Sequence, residues 1–165
     1  MAKKVIGVFG AGNISHGDEA WVAAERVGRL LAGKGFVVLT GGLGGVMTAA
    51  SKGARDEGGI TVGILPGTKK TTPANNYVDI AVYTGMGEAR NAINTKTCLA
   101  AIAVGGEYGT LSEIALALKG GCPIILLNSW DITSKDKAGL SDWLVAATPD
   151  EAVAMAVGAV AGQEG

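Results

Sequence analysis

Three glycine-rich turns, each lying between an apolar run and a helical segment, are the parts of this sequence best suited to chemistry. They cover residues 10–15 (GAGNIS), 40–47 (TGGLGGVM) and 105–113 (GGEYGTLSE). Glycine lets a ligand approach the backbone closely, and the free N–H groups of a helix N-terminus bind anions. We therefore predict that these turns form a pocket for a small phosphorylated ligand.

The first turn nearly matches the dinucleotide-binding pattern GxGxxG, with Ser15 in the place of the third glycine. A dinucleotide-binding domain also ends its second strand with an acidic residue for the ribose hydroxyls, whereas this chain has Leu39 and Thr40 there. The sequence therefore disfavours NAD as the ligand.

The second and third turns have both structural and functional interpretations. The second places four glycines within five positions before a helix; close packing explains one or two, and four favour a backbone surface that faces a ligand. In the third, Thr110 and Glu113 have the spacing of a helix capping box. The glycines before them predict an anion site at the same helix N-terminus, and the two roles are compatible.

Arg90 lies near the start of the helical segment after the fourth apolar run. Its position alone leaves open whether it is a surface residue or a pocket residue. We predict that strand four adjoins strand one where the strand order reverses. Because open α/β sheets bind ligands there, this position would allow Arg90 to point into the pocket. The predicted ligand-binding residues are Gly10, Gly12, Gly41, Gly42, Gly44, Gly45, Met86, Gly105, Gly106, Glu107, Tyr108, Gly109 and Thr110.

Apolar, β-rich runs alternate with segments of helical period along the chain. The runs cover residues 5–9, 36–39, 60–65, 78–83, 98–104 and 123–127, with a weaker one at 143–147, and the helical segments cover 21–31, 46–55, 86–97, 111–118 and 151–161. Thr148, Pro149 and Glu151 form a start signal for the last helix. The alternation predicts a Rossmann-like, three-layer, doubly wound α/β fold, with a mostly parallel sheet of six or seven strands and helices on both faces.

The composition indicates one domain over residues 1–165 and excludes several functional classes. Hydrophobic residues make up 48% of the chain and its net charge is −1 without a Lys/Arg-rich stripe, so we expect no nucleic-acid partner. No apolar run reaches transmembrane length, so we expect a cytoplasmic protein that does not bind membranes. Cys98 and Cys122 are predicted to be buried thiols, and one histidine, His16, makes a protein-held metal site improbable.

Two loops and His16 have no definite role at this stage. Residues 66–76 (PGTKKTTPANN) form either a lid over the ligand or a solvated connection, and residues 131–141 are predicted to be a polar surface loop. His16 comes after the first turn and is expected to be exposed, although it could touch the ligand.

Four motifs together resemble the Lonely Guy family, the cytokinin-activating phosphoribohydrolases once labelled lysine decarboxylases. They are the second turn, the strand ITVGILP at 60–66, the helix start MGEARN at 86–91 and the third turn, and the resemblance covers about residues 4–130. The family carries GGGxxGxM, VIGIxP, MxxRK and PGGxGTxxE at these places. The resemblance implies that Arg90 and Glu113 match the family's catalytic arginine and glutamate.

Three differences from these motifs point to a sister group. Gly105 replaces the family's proline, Glu107 replaces a motif glycine, and Asn91 replaces the lysine after the arginine. The spelling GGEYGTLSEIALAL is more similar to the group that includes the molybdenum cofactor carrier proteins, which hold the phosphate of a pterin cofactor without cleaving a nucleotide. The resemblance implies a homo-oligomer, either a dimer or a tetramer, in which a partner subunit can complete the site.

Two functions follow from the resemblance. As a carrier or sensor, the protein would bind a nucleotide, a pterin phosphate or the molybdenum cofactor as cargo and require no cofactor of its own; Glu107 suits a polar ring that needs an acceptor. As a nucleoside 5′-monophosphate phosphoribohydrolase, it would use Glu113 to stabilise an oxocarbenium-like transition state and Arg90 to position the substrate. We favour the carrier, and we set aside a pyridoxal-phosphate decarboxylase because no lysine lies in a recognisable Schiff-base site.

Overall fold

The computed structural model describes residues 2–132 and 143–163, which form seven strands in one parallel sheet. The sheet order is β4-β3-β2-β1-β5-β6-β7. The strands are β1 (Val5–Gly10), β2 (Val37–Thr40), β3 (Thr61–Leu65), β4 (Ile80–Tyr83), β5 (Ala100–Val104), β6 (Ile124–Leu127) and β7 (Leu144–Ala146). The helices are α1 (Glu19–Gly33), α2 (Val46–Asp56), α3 (Asn91–Thr97), α4 (Tyr108–Gly120) and α5 (Pro149–Ala161), with a 3-10 turn at Gly87–Arg90.

Helices cover both faces of the sheet, which confirms the predicted Rossmann-like α/β fold. On one face, α1, α2 and α5 pack over side chains such as Ile6, Val8 and Ile102. On the other face, α4 packs Ile114 near Phe9. Because the central strands are buried on both sides, they read as continuous apolar runs, as β5 (AAIAV) does.

The predicted position of strand four is wrong. β4 is the edge strand, and β1 pairs instead with β5, with Gly7 opposite Ala101. The chain therefore crosses from the edge of the sheet, over β3 and β2, to reach β5 on the far side of β1. The 3-10 turn and α3 make this crossing, so Arg90 still reaches the carboxyl ends of the central strands, although by another route.

Several local predictions can be compared with the structure directly. The last helix begins as expected: Thr148 Oγ1 accepts a hydrogen bond from the Glu151 N–H at 3.2 Å, and Glu151 Oε2 accepts one from the Ala147 N–H at 2.8 Å. Cys98 and Cys122 are free and buried, as predicted. The helix predicted over 86–97 is divided into the 3-10 turn and α3.

Most of the loop predicted over 131–141 lies outside the described residues, since only positions 131 and 132 are included. Within residues 2–132 and 143–163, no helix has both the length and the hydropathy needed to cross a bilayer.

Candidate ligand-binding site

A cleft of about 150 Å³ lies at the carboxyl ends of β1, β2 and β5. It is therefore where an open α/β sheet binds its ligands, around the strand at which the winding direction changes. All three glycine-rich turns and the crossing after β4 contribute to its lining, which consists of Phe9, Gly10, Ala11, Gly12, Gly41, Met47, Arg90, Asn91, Glu107, Gly109, Thr110 and Glu113.

Arg90 supplies a buried positive charge to this cleft. The residue is 9% exposed, and its Nη1 lies 3.8 Å from Oε1 of Glu113. Its Nε is buried and has no hydrogen-bond partner within residues 2–132 and 143–163. Burial lowers the pKa of Arg90 from its ordinary value, while the negative charges of Glu113 and Glu88 act in the opposite direction. Among the described residues the guanidinium is therefore not fully paired, and Arg90 is one of the residues that line the cleft.

Glu113 is the buried carboxyl group beside Arg90. It is 6% exposed, and its Oε1 accepts a hydrogen bond from Nδ2 of Asn94 at 2.9 Å. Burial raises the pKa of Glu113 to about 7, although the Asn94 hydrogen bond and the Arg90 charge favour its ionised form. The group therefore gains or loses its proton near neutral pH.

The predicted capping box of Thr110 and Glu113 is wrong. Helix α4 begins at Tyr108, with Glu107 at the cap position and no side-chain cap, so Thr110 is the third residue of the helix. Glu113 is the sixth residue of the helix and accepts a hydrogen bond from Asn94 instead of from the backbone of the first turn. The Glu107 side chain therefore leaves the first N–H groups of α4 uncapped next to the cleft.

Gly41 is the glycine of the second turn that lines the cleft. A Cβ built on Gly41 would collide with the guanidinium of Arg90 and would lie 2.7 Å from Sδ of Met47. The absence of a side chain at Gly41 therefore provides the space that the Arg90 side chain occupies.

The other three glycines of the second turn are outside the cleft lining and pack against protein. Gly42 lies against Leu65, and Gly44 and Gly45 lie against the backbone of the first turn. The N–H of the residue after Gly45, Val46, donates to the Ala11 carbonyl at 2.9 Å. Gly45 has a φ of 60°, which glycine adopts readily. Packing of the two turns accounts for these three positions.

The first turn differs from a dinucleotide-binding turn in its separation from the next helix. Helix α1 begins only at Glu19, and a loop of several residues separates it from Gly12. In that loop the Ser15 N–H donates to Asp18 Oδ2 at 2.7 Å. The glycines of the first turn therefore line the cleft without opening directly onto a helix N-terminus, which dinucleotide binding requires.

The remaining candidates are not at the cleft. Met86 is 52% exposed and lies outside the lining, and His16 is exposed with its ring 5.5 Å from that of Trp21.

Gly105 and Gly106 lead into α4 with positive φ. The 66–76 loop does not line the cleft, and its Asn75 donates through Nδ2 to the Leu43 carbonyl at 2.9 Å, which ties the loop to the second turn.

The sequence reasoning missed Asn91 and Asn94 as site residues. Asn91 lines the cleft and donates to Oγ of Ser112 at 3.0 Å, which joins α3 to α4. Asn94 donates to Glu113, and its buried Oδ1 accepts no hydrogen bond from the part of the chain that the structure describes. The position of Asn94, four residues after Arg90, was a usable signal because such residues share a helix face.

Comparison with known proteins places the chain in a family. The model of the SLOG cluster4 family matches residues 3–153. The chain belongs to the SLOG cluster4 family. An uncharacterised protein of Archaeoglobus fulgidus is 46% identical to this SLOG cluster4 member over 148 residues, which are 90% of this chain and 91% of the relative.

Two solved structures are similar to this SLOG cluster4 protein over nearly its whole length. The molybdenum cofactor carrier protein of Chlamydomonas reinhardtii is 38% identical with a TM-score of 0.85, over 97% of this chain and 99% of its own. The molybdenum cofactor binding protein of Rippkaea orientalis is 39% identical with a TM-score of 0.83, over 94% and 96%. The resemblance to the molybdenum cofactor carrier branch of the Lonely Guy superfamily is thus confirmed.

Proposed function

We propose that this protein is a carrier or sensor of the molybdenum cofactor and that it binds the phosphate of the cofactor in the cleft. The observation that carries this proposal is Arg90, a buried guanidinium that lines the cleft and is not fully paired by the described residues, together with the start of α4, which the Glu107 side chain does not cap. A buried charge is costly unless it is paired, and a phosphate supplies both the opposite charge and hydrogen-bond acceptors. The names of the two similar structures support the pterin cofactor as the cargo.

The electrostatics of the cleft favour an anion most strongly when Glu113 is protonated. Its carboxyl group is the partner of Arg90, and its ionised form is disfavoured by burial. An anionic ligand can replace Glu113 as the ion-pair partner of Arg90. The N-terminal end of the α4 dipole stabilises the same negative charge. The ligand is held by the chain's own N–H and guanidinium groups.

The proposal also covers the oligomeric state, the cellular location and the partners of the protein. We infer a cytoplasmic homo-oligomer of single-domain subunits that does not bind nucleic acid. Exposed apolar side chains support a subunit contact: Ile80 and Val82 on the edge strand β4 are 52% and 42% exposed. The net charge of −1 speaks against a nucleic-acid partner.

The carrier proposal predicts a stable complex with the molybdenum cofactor. After incubation with the cofactor and gel filtration, the protein is expected to elute with pterin and molybdenum in equal amounts, because the cleft retains the phosphate. Pterin fluorescence after oxidation and elemental analysis of the protein peak measure the two components. A variant with Arg90→Gln is the matched control and should elute with less of both. A wild-type peak that contains neither would contradict the proposal.

Nucleotide hydrolysis is the second candidate, and Glu113 is the observation that favours it. A carboxyl group with a pKa of about 7 can stabilise an oxocarbenium-like transition state when ionised and activate water near neutral pH. Water would add to the anomeric carbon as the bond to the base breaks, and the base would leave with a proton, so that ribose 5-phosphate and free base are the products.

Hydrolysis is tested by chromatography of the protein incubated with a panel of nucleoside 5′-monophosphates. On the carrier proposal we expect no free base and no ribose 5-phosphate from any of them. Release of base by the wild type that disappears in Glu113→Gln, with nucleotide binding retained, would establish the hydrolase instead. The glutamine variant keeps an acceptor for Asn94 and removes only the ionisable group.

A further inference from the structure

A second groove continues from the cleft along the start of α4. It has a volume of about 450 Å³ and is lined by Gly106, Glu107, Tyr108, Gly109 and Trp130. Glu107 and Gly109 also line the cleft, so the groove and the cleft are adjacent at these residues. A ligand whose phosphate lies in the cleft can therefore extend its other end into the groove.

Two aromatic side chains form the wall of this groove. The ring centroids of Tyr108 and Trp130 are 5.8 Å apart with an angle of 35° between the planes. Nε1 of Trp130 donates to the carbonyl of Glu107 at 3.2 Å, which fixes the indole against the start of α4. Tyr108 is 82% exposed, an unusual state for a large aromatic residue beside a pocket. Such a surface binds flat heterocyclic rings by stacking.

Glu107 places a carboxylate at the junction of the cleft and the groove. It is exposed and makes no side-chain hydrogen bond or ion pair with the described residues, and it does not cap α4. A carboxylate has two acceptor oxygens and no donor, so its best partner is an edge with two adjacent N–H donors. Near a phosphate site a free carboxylate is unfavourable unless the ligand compensates for it.

We propose, resting on the phosphate site of the proposed function, that the groove binds a bicyclic heterocycle stacked on Tyr108 and Trp130. Glu107 selects a ring that carries a ring N–H beside an exocyclic amino group. Guanine and pterin share this donor–donor edge. Adenine has an amino donor beside a ring-nitrogen acceptor on the corresponding edge. A carboxylate therefore accepts one hydrogen bond from the amino group, while its second oxygen faces the lone pair of the ring nitrogen and is repelled.

The ring edge is tested by calorimetric titration of the protein with ribose 5-phosphate, GMP and AMP. We expect GMP to bind at least about tenfold more tightly than AMP, since a bidentate pair between a carboxylate and a base edge gives discrimination of that order. Glu107→Gln should abolish the preference, because the glutamine amide has one donor and one acceptor and can pair with the N1–H and O6 of guanine as well as with the edge of adenine. Glu57→Gln, an exposed position at the C-terminal end of α2, is the control and should keep the wild-type order.

The stacking surface is tested with Tyr108→Ala and Tyr108→Phe. We expect the alanine variant to bind both nucleotides about tenfold more weakly and ribose 5-phosphate unchanged, because stacking on an aromatic side chain contributes on this scale. The phenylalanine variant keeps the ring and should bind both nucleotides more tightly than the alanine variant does. A change in oligomeric state of Tyr108→Ala with unchanged nucleotide affinity would identify the wall as a subunit contact and overturn the proposal.

The titrations separate failure of the ring proposal from failure of the phosphate site. If ribose 5-phosphate does not bind, the proposed phosphate site is wrong, and the ring proposal falls with it. If ribose 5-phosphate binds but GMP and AMP bind equally in both the wild type and Glu107→Gln, the phosphate site stands and the ring proposal alone is wrong.

Discussion

Replacement of Arg90 by glutamine is expected to weaken the binding of ribose 5-phosphate by about 100-fold, since hydrogen bonds from a charged donor contribute about 1.5–3 kcal/mol and the charge is lost as well. Glutamine keeps a polar group in the buried position but lacks the charge and most of the donors. Calorimetric titration at pH 7 measures the affinity, and the unfolding midpoint in urea shows whether the variant is folded.

Two further variants distinguish the effect of where the Arg90 guanidinium lies from the effect of the protein's total charge. Gly41→Ala keeps the net charge but places a methyl group where the guanidinium of Arg90 lies, so we expect a loss of binding without a large loss of stability, because a flexible side-chain end is what must move. Arg55→Gln removes an exposed arginine whose Nε is 3.4 Å from Asp79 Oδ1, and it should bind as the wild type does. Unchanged affinity of Arg90→Gln would remove the basis of the proposed phosphate site.

Glu113 is expected to lower the free energy of unfolding by about 2–3 kcal/mol as the pH rises from 5 to 8, from 1.36 kcal/mol per pKa unit. The pKa of Glu113 is about 7 in the folded protein and 4.5 is its ordinary value. Between these values the folded protein holds a proton that the unfolded chain has released. The stabilisation is therefore complete below pH 4.5 and is lost as the pH passes 7.

Urea denaturation at a series of pH values measures this effect as the difference between the wild type and Glu113→Gln. The glutamine variant has no proton to lose at this position, so its stability relative to the wild type should increase with pH over this range. Glu57→Gln changes an exposed carboxyl group instead and should follow the wild-type profile. Parallel pH profiles for the wild type and Glu113→Gln would show that the buried carboxyl group does not hold its proton.

Both predictions concern the buried pair Arg90 and Glu113. Together they describe an unfavourable desolvation of charge in the free protein that a bound anion can relieve. Arg90 and Glu113 are 3.8 Å apart, but desolvation opposes the charged form of each. A buried ion pair in such a place need not stabilise the fold. An anion that binds Arg90 pairs its charge and allows Glu113 to remain neutral. In the proposed function, this exchange of partners is what would allow a phosphorylated cargo to be bound and released.

The sequence by itself determined the architecture and the location of the cleft. Alternating β and α periods predict a doubly wound sheet because each pattern buries its apolar residues in only one kind of element. Turns that come after β1, β2 and β5 must meet at the same edge, since parallel strands end together. The start of α5 at Thr148 was also predictable, because helix capping depends on neighbours along the chain. These properties are local or arise from periodicity.

The tertiary structure alone decided which residues of the turns form the site. The sequence left Arg90 undecided, and only the strand order, with β4 at the edge, explains how the crossing brings it to Gly41. Glu113 has the spacing of a cap, yet its burial against Asn94 gives it another role. Trp130 reaches the groove from the end of another strand. Strand order, burial and pKa arise from contacts between residues far apart in the chain, which no local pattern encodes.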